Sequence, residues 1–385
     1  MKTIFILINL FTLAFARPKV LHLTFHEGCA GEVAYLCKMF DLELDTWNIL
    51  QQPNGFLDPI APAKSNYLML HDKAERIFQK HKETFESYDL IITSDISPLS
   101  RIFLQNNWKK PLLIWVCNRF DINTRCSGFK EFPDAEYLKL FQEAGNLENV
   151  EIVGYANFEK VHAEKNRAIT SIKTTIPPTG MSEVTKGYHK IPEHLKKEDH
   201  FFVRNYINEK SLALTRKLKE LGMDCYCGTY AGSVDLKDFK GMIHVPGVMG
   251  NFHLWENIHQ GIIHFIPSKT FYETLYTSRK IKLWDWCNPT SRTSYLPIDE
   301  VFANCDWYNE KLSPLFIFFD SFEDLKQKTE EIDYTTKKEA IISWHRKHVL
   351  YCLESWAPIF NRLLGTELKT FTWEGDEINP YSVRS

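Results

Sequence analysis

The stretch Gly247-Val-Met-Gly250-Asn251-Phe252-His-Leu-Trp-Glu256-Asn-Ile-His-Gln-Gly261-Ile-Ile-His-Phe-Ile-Pro-Ser268 reads as a turn, a short helix and a strand in immediate succession. Asn251 is a good N-cap residue, and Gly261 stands where a C-capping glycine is expected. The apolar run Ile262–Ile266 then makes a strand, closed by Pro267-Ser268. A helix N-terminus opened by glycine offers unpaired backbone N–H groups, which suits a phosphate.

The same alternation extends in both directions. Val20–Phe25, Leu44–Ile49, Leu90–Thr93, Leu112–Cys117 and Glu151–Tyr155 read as strands. Between them, a helix is expected over Val33–Met39, and Ala74, Ile77, Phe78, Phe85 and Tyr88 follow helical spacing. Apolar residues fill consecutive strand positions, as in a parallel sheet covered on both faces. A polar stretch from Pro177 to about His200 interrupts the pattern. It restarts with strand Phe201–Val203, helix Asn208–Leu221 and strands Cys225–Cys227, Met242–Val245 and Leu315–Phe319. Ser321–Thr329 is a further helix, and one or two more are expected over Thr335–Leu364. The chain therefore reads as α/β, two Rossmann-like doubly wound domains facing a central cleft, followed by C-terminal helices. The expected divisions are 19–180, a linker over 181–199, 200–334, and a tail from 335 to 385.

The chain has 385 residues, which suits two domains better than one core. A hydrophobic fraction of 44% and a charged fraction of 25% are those of a globular protein. A net charge of -3 gives no electrostatic reason to expect nucleic acid as a partner. Lys2, the apolar run Ile4–Phe15 and Ala14-Phe15-Ala16 have the form of a signal peptide over 1–16, with an uncleaved anchor as the alternative. Lumenal residence in the endoplasmic reticulum or Golgi, or secretion, is expected, with no stable membrane span after processing. In that compartment some of the nine cysteines are expected to pair. Cys225 and Cys227 read as small buried strand residues. Trp284, Trp286, Trp307 and Tyr308 read as packing for the second domain, or as a surface for a sugar ring.

This order of elements resembles the GT-B glycosyltransferases. The first motif carrying the resemblance is Phe202-Val-Arg204-Asn-Tyr-Ile-Asn-Glu-Lys210, similar to the strand–Arg–x5–Lys segment opening the donor domain of many members. The resemblance implies that Arg204 and Lys210 hold a diphosphate. The second is the Gly247–Ser268 stretch, where Gly250, Asn251 and Phe252 would offer backbone to the diphosphate and Glu256 would hold the ribose. Only the second glutamate of the family's E-x7-E pattern is matched, because position 248 is valine. In inverting members a histidine after the first strand is the general base. His26 occupies that place in Thr24-Phe25-His26-Glu27-Gly28, with Glu27 as the alternative base and Asp95 as the acid that orients the imidazole. The plainer readings are a loop histidine bonded to backbone and an aspartate capping a helix near Pro98–Leu104.

What the resemblance implies is transfer of a sugar from a nucleotide-diphosphate sugar to a hydroxyl of a glycan, glycoprotein or glycolipid. Neither cofactor nor metal is expected. No Asp-x-Asp pair, G-x-G-x-x-G, G-x4-G-K-[ST] or Gly-x-Ser-x-Gly occurs. The alternatives are a secreted two-domain protein binding a sugar without turnover and a sugar-nucleotide epimerase of the same fold.

Overall fold

Strand β1 (Lys19–Thr24) is buried from Val20 onward and lies between two parallel neighbours, β2 (Glu43–Asn48) and β3 (Leu90–Ser94). The computed structural model describes residues 17–49, 69–118, 120–121, 134–182, 190–248, 250–283, 298–367, 369–374 and 377–382. The expected signal peptide over 1–16, Trp284 and Trp286 lie outside these residues, as does part of the expected linker. The first sheet continues through β4 (Leu112–Val116), β5 (Val150–Gly154) and β6 (Thr174–Thr175), in the order β2-β1-β3-β4-β5-β6. Every pairing in it is parallel. Helices α1 (Glu27–Met39), α2 (His71–Glu86), α3 (Arg101–Leu104), α4 (Ala135–Ala144) and α5 (Asn157–Arg167) connect the strands.

The second sheet has β7 (Phe201–Arg204), β8 (Cys225–Gly228), β9 (Gly241–Ile243), β10 (His264–Pro267) and β11 (Ile317–Phe319), again all parallel, in the order β11-β10-β9-β7-β8. Its helices are α6 (Ile207–Ser211), α7 (Leu214–Glu220), α8 (Phe252–His259), α9 (Lys269–Thr277), α10 (Ile298–Asn304) and α11 (Phe322–Glu331). Both sheets are doubly wound, as expected. Each has a switch point where the winding reverses, β1/β3 in one and β7/β9 in the other. Ligands of such sheets bind at the strand carboxyl ends there.

Helix α12 (Tyr334–Leu364) is a single element with Pro358 inside it. Its Ile341 packs in the core of the second sheet. Val349, Leu353, Trp356, Phe360 and Leu363 pack in a core with Val20, Val33, Leu90 and Leu113 of the first. One helix therefore ties the two sheets together. The tail then forms an antiparallel hairpin, β12 (Lys369–Glu374) with β13 (Glu377–Ser382), absent from the sequence reading. Phe371 meets Phe40 edge-on, and Trp373 Nε1 donates to the carbonyl of Arg346.

Three local expectations are corrected. Helix α1 begins at Glu27 rather than near Val33, because His26 caps it. The helix expected over 208–221 is two, since Ala213 adopts a left-handed φ of 49° between α6 and α7. Cys225 is half-buried and Cys227 exposed, because β8 is the edge strand of its sheet. The seven described cysteines are all free thiols, so the expected pairing is not found among them. Trp307 and Tyr308 do pack the second domain, with Trp307 Nε1 donating to the carbonyl of Val248.

Candidate active site

His26 follows β1 at the first switch point and is the N-cap of α1. Its Nδ1 accepts the Gly28 N–H at 3.0 Å, so a neutral ring carries its proton on Nε2. A Cβ at position 28 would meet the imidazole at 2.9 Å, so a larger residue there would have to displace the ring. Beneath the loop runs a buried polar chain from β1 and β3. His22 Nε2 donates to Ser94 Oγ at 2.7 Å, Ser94 donates to Thr24 Oγ1 at 3.0 Å, and Thr24 Oγ1 accepts the His26 N–H at 3.1 Å. Burial lowers the His22 pKa to about 3, so it stays neutral and serves as a fixed donor. Glu27 is half-buried at the first position of α1, where a carboxylate suits the helix dipole.

Asp95 follows β3 at the same switch point, with φ at +65°. Left-handed backbone at a non-glycine residue is strained and recurs where a side chain must be aimed. Asn118, after β4, holds it twice, through the backbone N–H to the Asp95 carbonyl and through the side-chain amide to Oδ1. Asp95 is not a cap for the turn at Ser97–Ser100, whose N-cap is Ile96. Burial and the nearby Cys29 push the Asp95 carboxyl up to about 7, with the His26 charge acting in the other direction. The sequence reading missed Cys29. It stands in the first turn of α1, in hydrogen-bond contact with His26 and Cys117.

At the second switch point Asn251 caps α8, as expected, its Oδ1 accepting the Leu254 N–H at 2.8 Å. The N–H groups of Phe252 and His253, in the same first turn, have no intrahelical acceptor. The Phe252 ring stacks on His26 at 5.6 Å and on Tyr155 at 5.8 Å, and meets Trp115 edge-on at 5.6 Å. The N-termini of α1 and α8 therefore meet across the cleft. Gly250 approaches Tyr155 and Asp306 so closely that a Cβ would collide with both.

Arg204 ends β7 with its guanidinium over the rings of Tyr206, at 4.7 Å, and Tyr230, at 6.0 Å. Tyr230 in turn packs on His253 of α8 at 5.3 Å. Glu256 is buried one turn along α8, where Oε1 accepts the Ser182 hydroxyl at 2.6 Å and Oε2 pairs with His253 Nδ1 at 3.1 Å. Burial opposes its ionisation, yet His253 and Ser182 hold the carboxyl below the usual carboxylate range. Arg204, Tyr230, His253 and Glu256 thus form one connected group at the α8 N-terminus. Lys210 is exposed on α6, in the wall of a small pocket formed with Ala213, Arg216 and Cys227. Among the described residues, no His, Cys, Asp and Glu cluster is arranged to hold a metal ion. No described helix is long and apolar enough to cross a membrane.

No family model and no curated protein matches this chain. Solved structures do. One is the glycosyltransferase SnogD from Streptomyces nogalater, 8% identical with a TM-score of 0.45, over 89% of this chain and 99% of that one. A UDP-N-acetylglucosamine 2-epimerase is 12% identical with a TM-score of 0.44, over 88% and 96%. Arabidopsis thaliana UGT89C1, complexed with UDP, is 11% identical with a TM-score of 0.40, over 91% and 99%.

The connection between the sheets carries a further carboxylate that sequence reading passed over. Glu32 of α1 is buried and accepts the Thr179 N–H. On the other side, α12 offers His345 Nε2 to the Thr179 carbonyl at 2.7 Å and His348 Nε2 to the Pro178 carbonyl at 2.9 Å. Gly180, at φ +75°, lies against the backbone of Trp255. Nothing in the local pattern around Glu32 marks it, since its partner is distant in sequence.

Proposed function

We propose that this chain transfers a sugar from a nucleotide-diphosphate sugar to an acceptor hydroxyl, without a metal. The observation that carries the reading is the meeting of two capped helix N-termini, His26 of α1 against Phe252 of α8, with Arg204 on one side and Asp95 on the other. Two helix N-termini and an arginine favour the negative charge that grows on a departing nucleoside diphosphate. Glu256 is the residue for the ribose, in exchange for its bond to Ser182.

In the transfer, the acceptor oxygen bonds to the anomeric carbon while the bond from that carbon to the diphosphate oxygen breaks and the diphosphate keeps the electron pair. The acceptor proton goes to His26, and Asp95 stabilises the imidazolium by its charge. With Nδ1 engaged by Gly28, the ring takes a proton only after that bond is released. An anionic group arriving at the α1 N-terminus is a competing acceptor for the Gly28 N–H, which couples donor binding to release of the base. The acceptor is a glycan, glycoprotein or glycolipid of the secretory pathway, in keeping with the apolar segment at residues 4–15.

Thermal-shift measurements against UDP, GDP, ADP and CMP test the donor site, since a ligand binding only the folded state raises its stability. One nucleotide is expected to raise the transition, and release of free nucleotide should then depend on an added acceptor. No shift with any of the four defeats the reading. Conversion of the nucleotide sugar without acceptor identifies an epimerase instead, and sugar binding that nucleotide does not compete identifies a binding protein.

A further inference from the structure

The alcohol bound to Glu256 comes from the chain itself. Ser182 Oγ donates to Oε1 at 2.6 Å, the length of a charge-assisted bond from hydroxyl to carboxylate, and Oε2 pairs with His253 Nδ1 at 3.1 Å. Glu256 is 6% exposed, and both of its oxygens are engaged. The two partners differ in origin. His253 lies three residues earlier on α8, whereas Ser182 reaches Glu256 from the connection between the sheets.

That connection is fixed just ahead of Ser182. His348 Nε2 of α12 holds the Pro178 carbonyl at 2.9 Å, His345 Nε2 holds the Thr179 carbonyl at 2.7 Å, and Glu32 of α1 accepts the Thr179 N–H. The Met181 N–H turns back onto Thr179 Oγ1 at 3.1 Å, and Gly180 seats against the Trp255 backbone. Helices α1, α8 and α12 thus set the path of residues 178–181, and the next side chain falls on Glu256. Burial opposes ionisation of Glu256, and leaving a buried carboxylate unpaired costs more than an ordinary hydrogen bond contributes. Ser182 therefore leaves only in exchange for another hydroxyl. A ribose supplies one.

We propose that the Ser182–Glu256 bond is an autoinhibitory contact, in which the interdomain connection holds the ribose position until a ribonucleotide displaces it. The inference rests on the transferase reading for the role of Glu256 and adds the regulation of that site. Breaking the bond is part of binding, so the observed affinity is lower than the open site would give. A sugar without ribose hydroxyls has nothing to offer Glu256 in return, and it leaves Ser182 in place. Because Ser182 follows directly on residues gripped by α1 and α12, ribose binding also frees the connection between the domains at this point.

Isothermal titration of the full chain and of Ser182→Ala with UDP, GDP, ADP and CMP, and with the 2′,3′-dideoxy form of each, tests the contact. Ser182→Ala removes one oxygen at a partly buried position, and melting temperatures measured alongside establish that it is folded. It should bind the cognate ribonucleotide at least about threefold more tightly than wild type, because the bond to a charged group no longer has to be broken. The dideoxy counterpart should change less than about twofold. If wild type binds a ribonucleotide and folded Ser182→Ala binds it no more tightly, the contact is not autoinhibitory, while the donor-site reading stands. Equal tightening of the ribose and dideoxy forms also overturns the inference, since the gain then does not pass through a ribose hydroxyl. Absence of binding by both proteins to every nucleotide overturns the inference and the donor-site reading together.

Discussion

The imidazole of His26 and the ring of Phe252 stack at 5.6 Å with an interplanar angle of 29°. One closes the turn after β1, and the other opens α8. Phe252 is 9% exposed, and His26, Trp115 and Tyr155 around it all belong to the first sheet's side of the cleft. Phe252→Ala should therefore lower unfolding free energy by about 3–5 kcal/mol, the usual cost of deleting a buried phenyl ring. Calorimetry checks this, and a melting shift within one degree of zero would contradict the packing described.

His26 combines a structural and a chemical role, and two substitutions separate them. His26→Asn keeps a side-chain acceptor for the Gly28 N–H, whereas His26→Ala removes it and should cost about 1 kcal/mol as a lost cap. Both remove the base, so both should slow transfer by about 10²–10⁴-fold while nucleotide binding persists. Steady-state rates and melting temperatures measured side by side decide it. A rate near wild type in His26→Asn would reassign the base, with Glu27 the next residue to examine.

Arg204 has its guanidinium over the rings of Tyr206 and Tyr230, where a planar delocalised cation stacks and can also fork onto a diphosphate as an ammonium cannot. Arg204→Ala should weaken nucleoside diphosphate binding by about 10–100-fold, the worth of a strong charge-assisted contact, and Arg204→Lys should recover little of it. Isothermal titration with the nucleotide found by thermal shift provides the measurement. Lys210→Ala, on an exposed face of α6, should change the same affinity less than about twofold.

Glu32 gives the connection between the sheets a pH dependence. Burial raises its carboxyl from 4.5 to about 7, with the nearby Glu256 charge adding to the effect. A raised pKa means the folded state holds the proton more tightly. Its stabilising contribution is thus full below about pH 4.5 and is lost as pH rises through about 7. Glu32→Gln keeps an acceptor for the Thr179 N–H and removes the titration. The variant should match wild type near pH 4 and exceed it by about 2–3 kcal/mol at pH 8. Urea unfolding at a series of pH values measures the difference. The buried His345 and His348, lowered by burial to about 3 and about 4, are present in both proteins and cancel.

Gly180 offers a backbone test of the same region. Its φ of +75° and its contact with the Trp255 carbonyl leave no room for a methyl group. Gly180→Ala should destabilise by more than about 1 kcal/mol, whereas Gly222→Ala, at a similar φ but in open space, should pay only the conformational strain. Equal melting temperatures for the two variants would show that the contact with Trp255 is dispensable.

Much of the scaffold was legible because its signals are local. Consecutive apolar residues in Leu112–Val116 announce a strand buried on both faces, and Asn251 with Gly261 brackets α8 by capping chemistry that spans a few residues. The misreadings were local conflicts that packing resolved. Val33 looked like the start of α1 because the glycines at 28 and 31 suggested a loop, yet His26 caps the chain at Glu27. The stretch over 208–221 has helical spacing throughout, but Ala213 turns left-handed and divides it. In β12 Phe371 and Trp373 alternate with Thr370, Thr372 and Glu374, but the partners of the two rings, Phe40 and Arg346, are distant in sequence.

By itself, the sequence determined two parallel α/β halves and the residues standing at strand ends, among them His26, Asp95, Arg204 and Asn251. Period and capping depend on near neighbours, so they survive in one dimension. Only the tertiary structure decided that Nδ1 of His26 is occupied by Gly28, and that Glu256 is held by Ser182 and His253. It also decided that α12 returns to the first sheet, where Trp356 and Phe360 share a core with Val20 and Leu113. Those outcomes depend on which distant surfaces meet, and on what burial then does to charge and to hydrogen bonds.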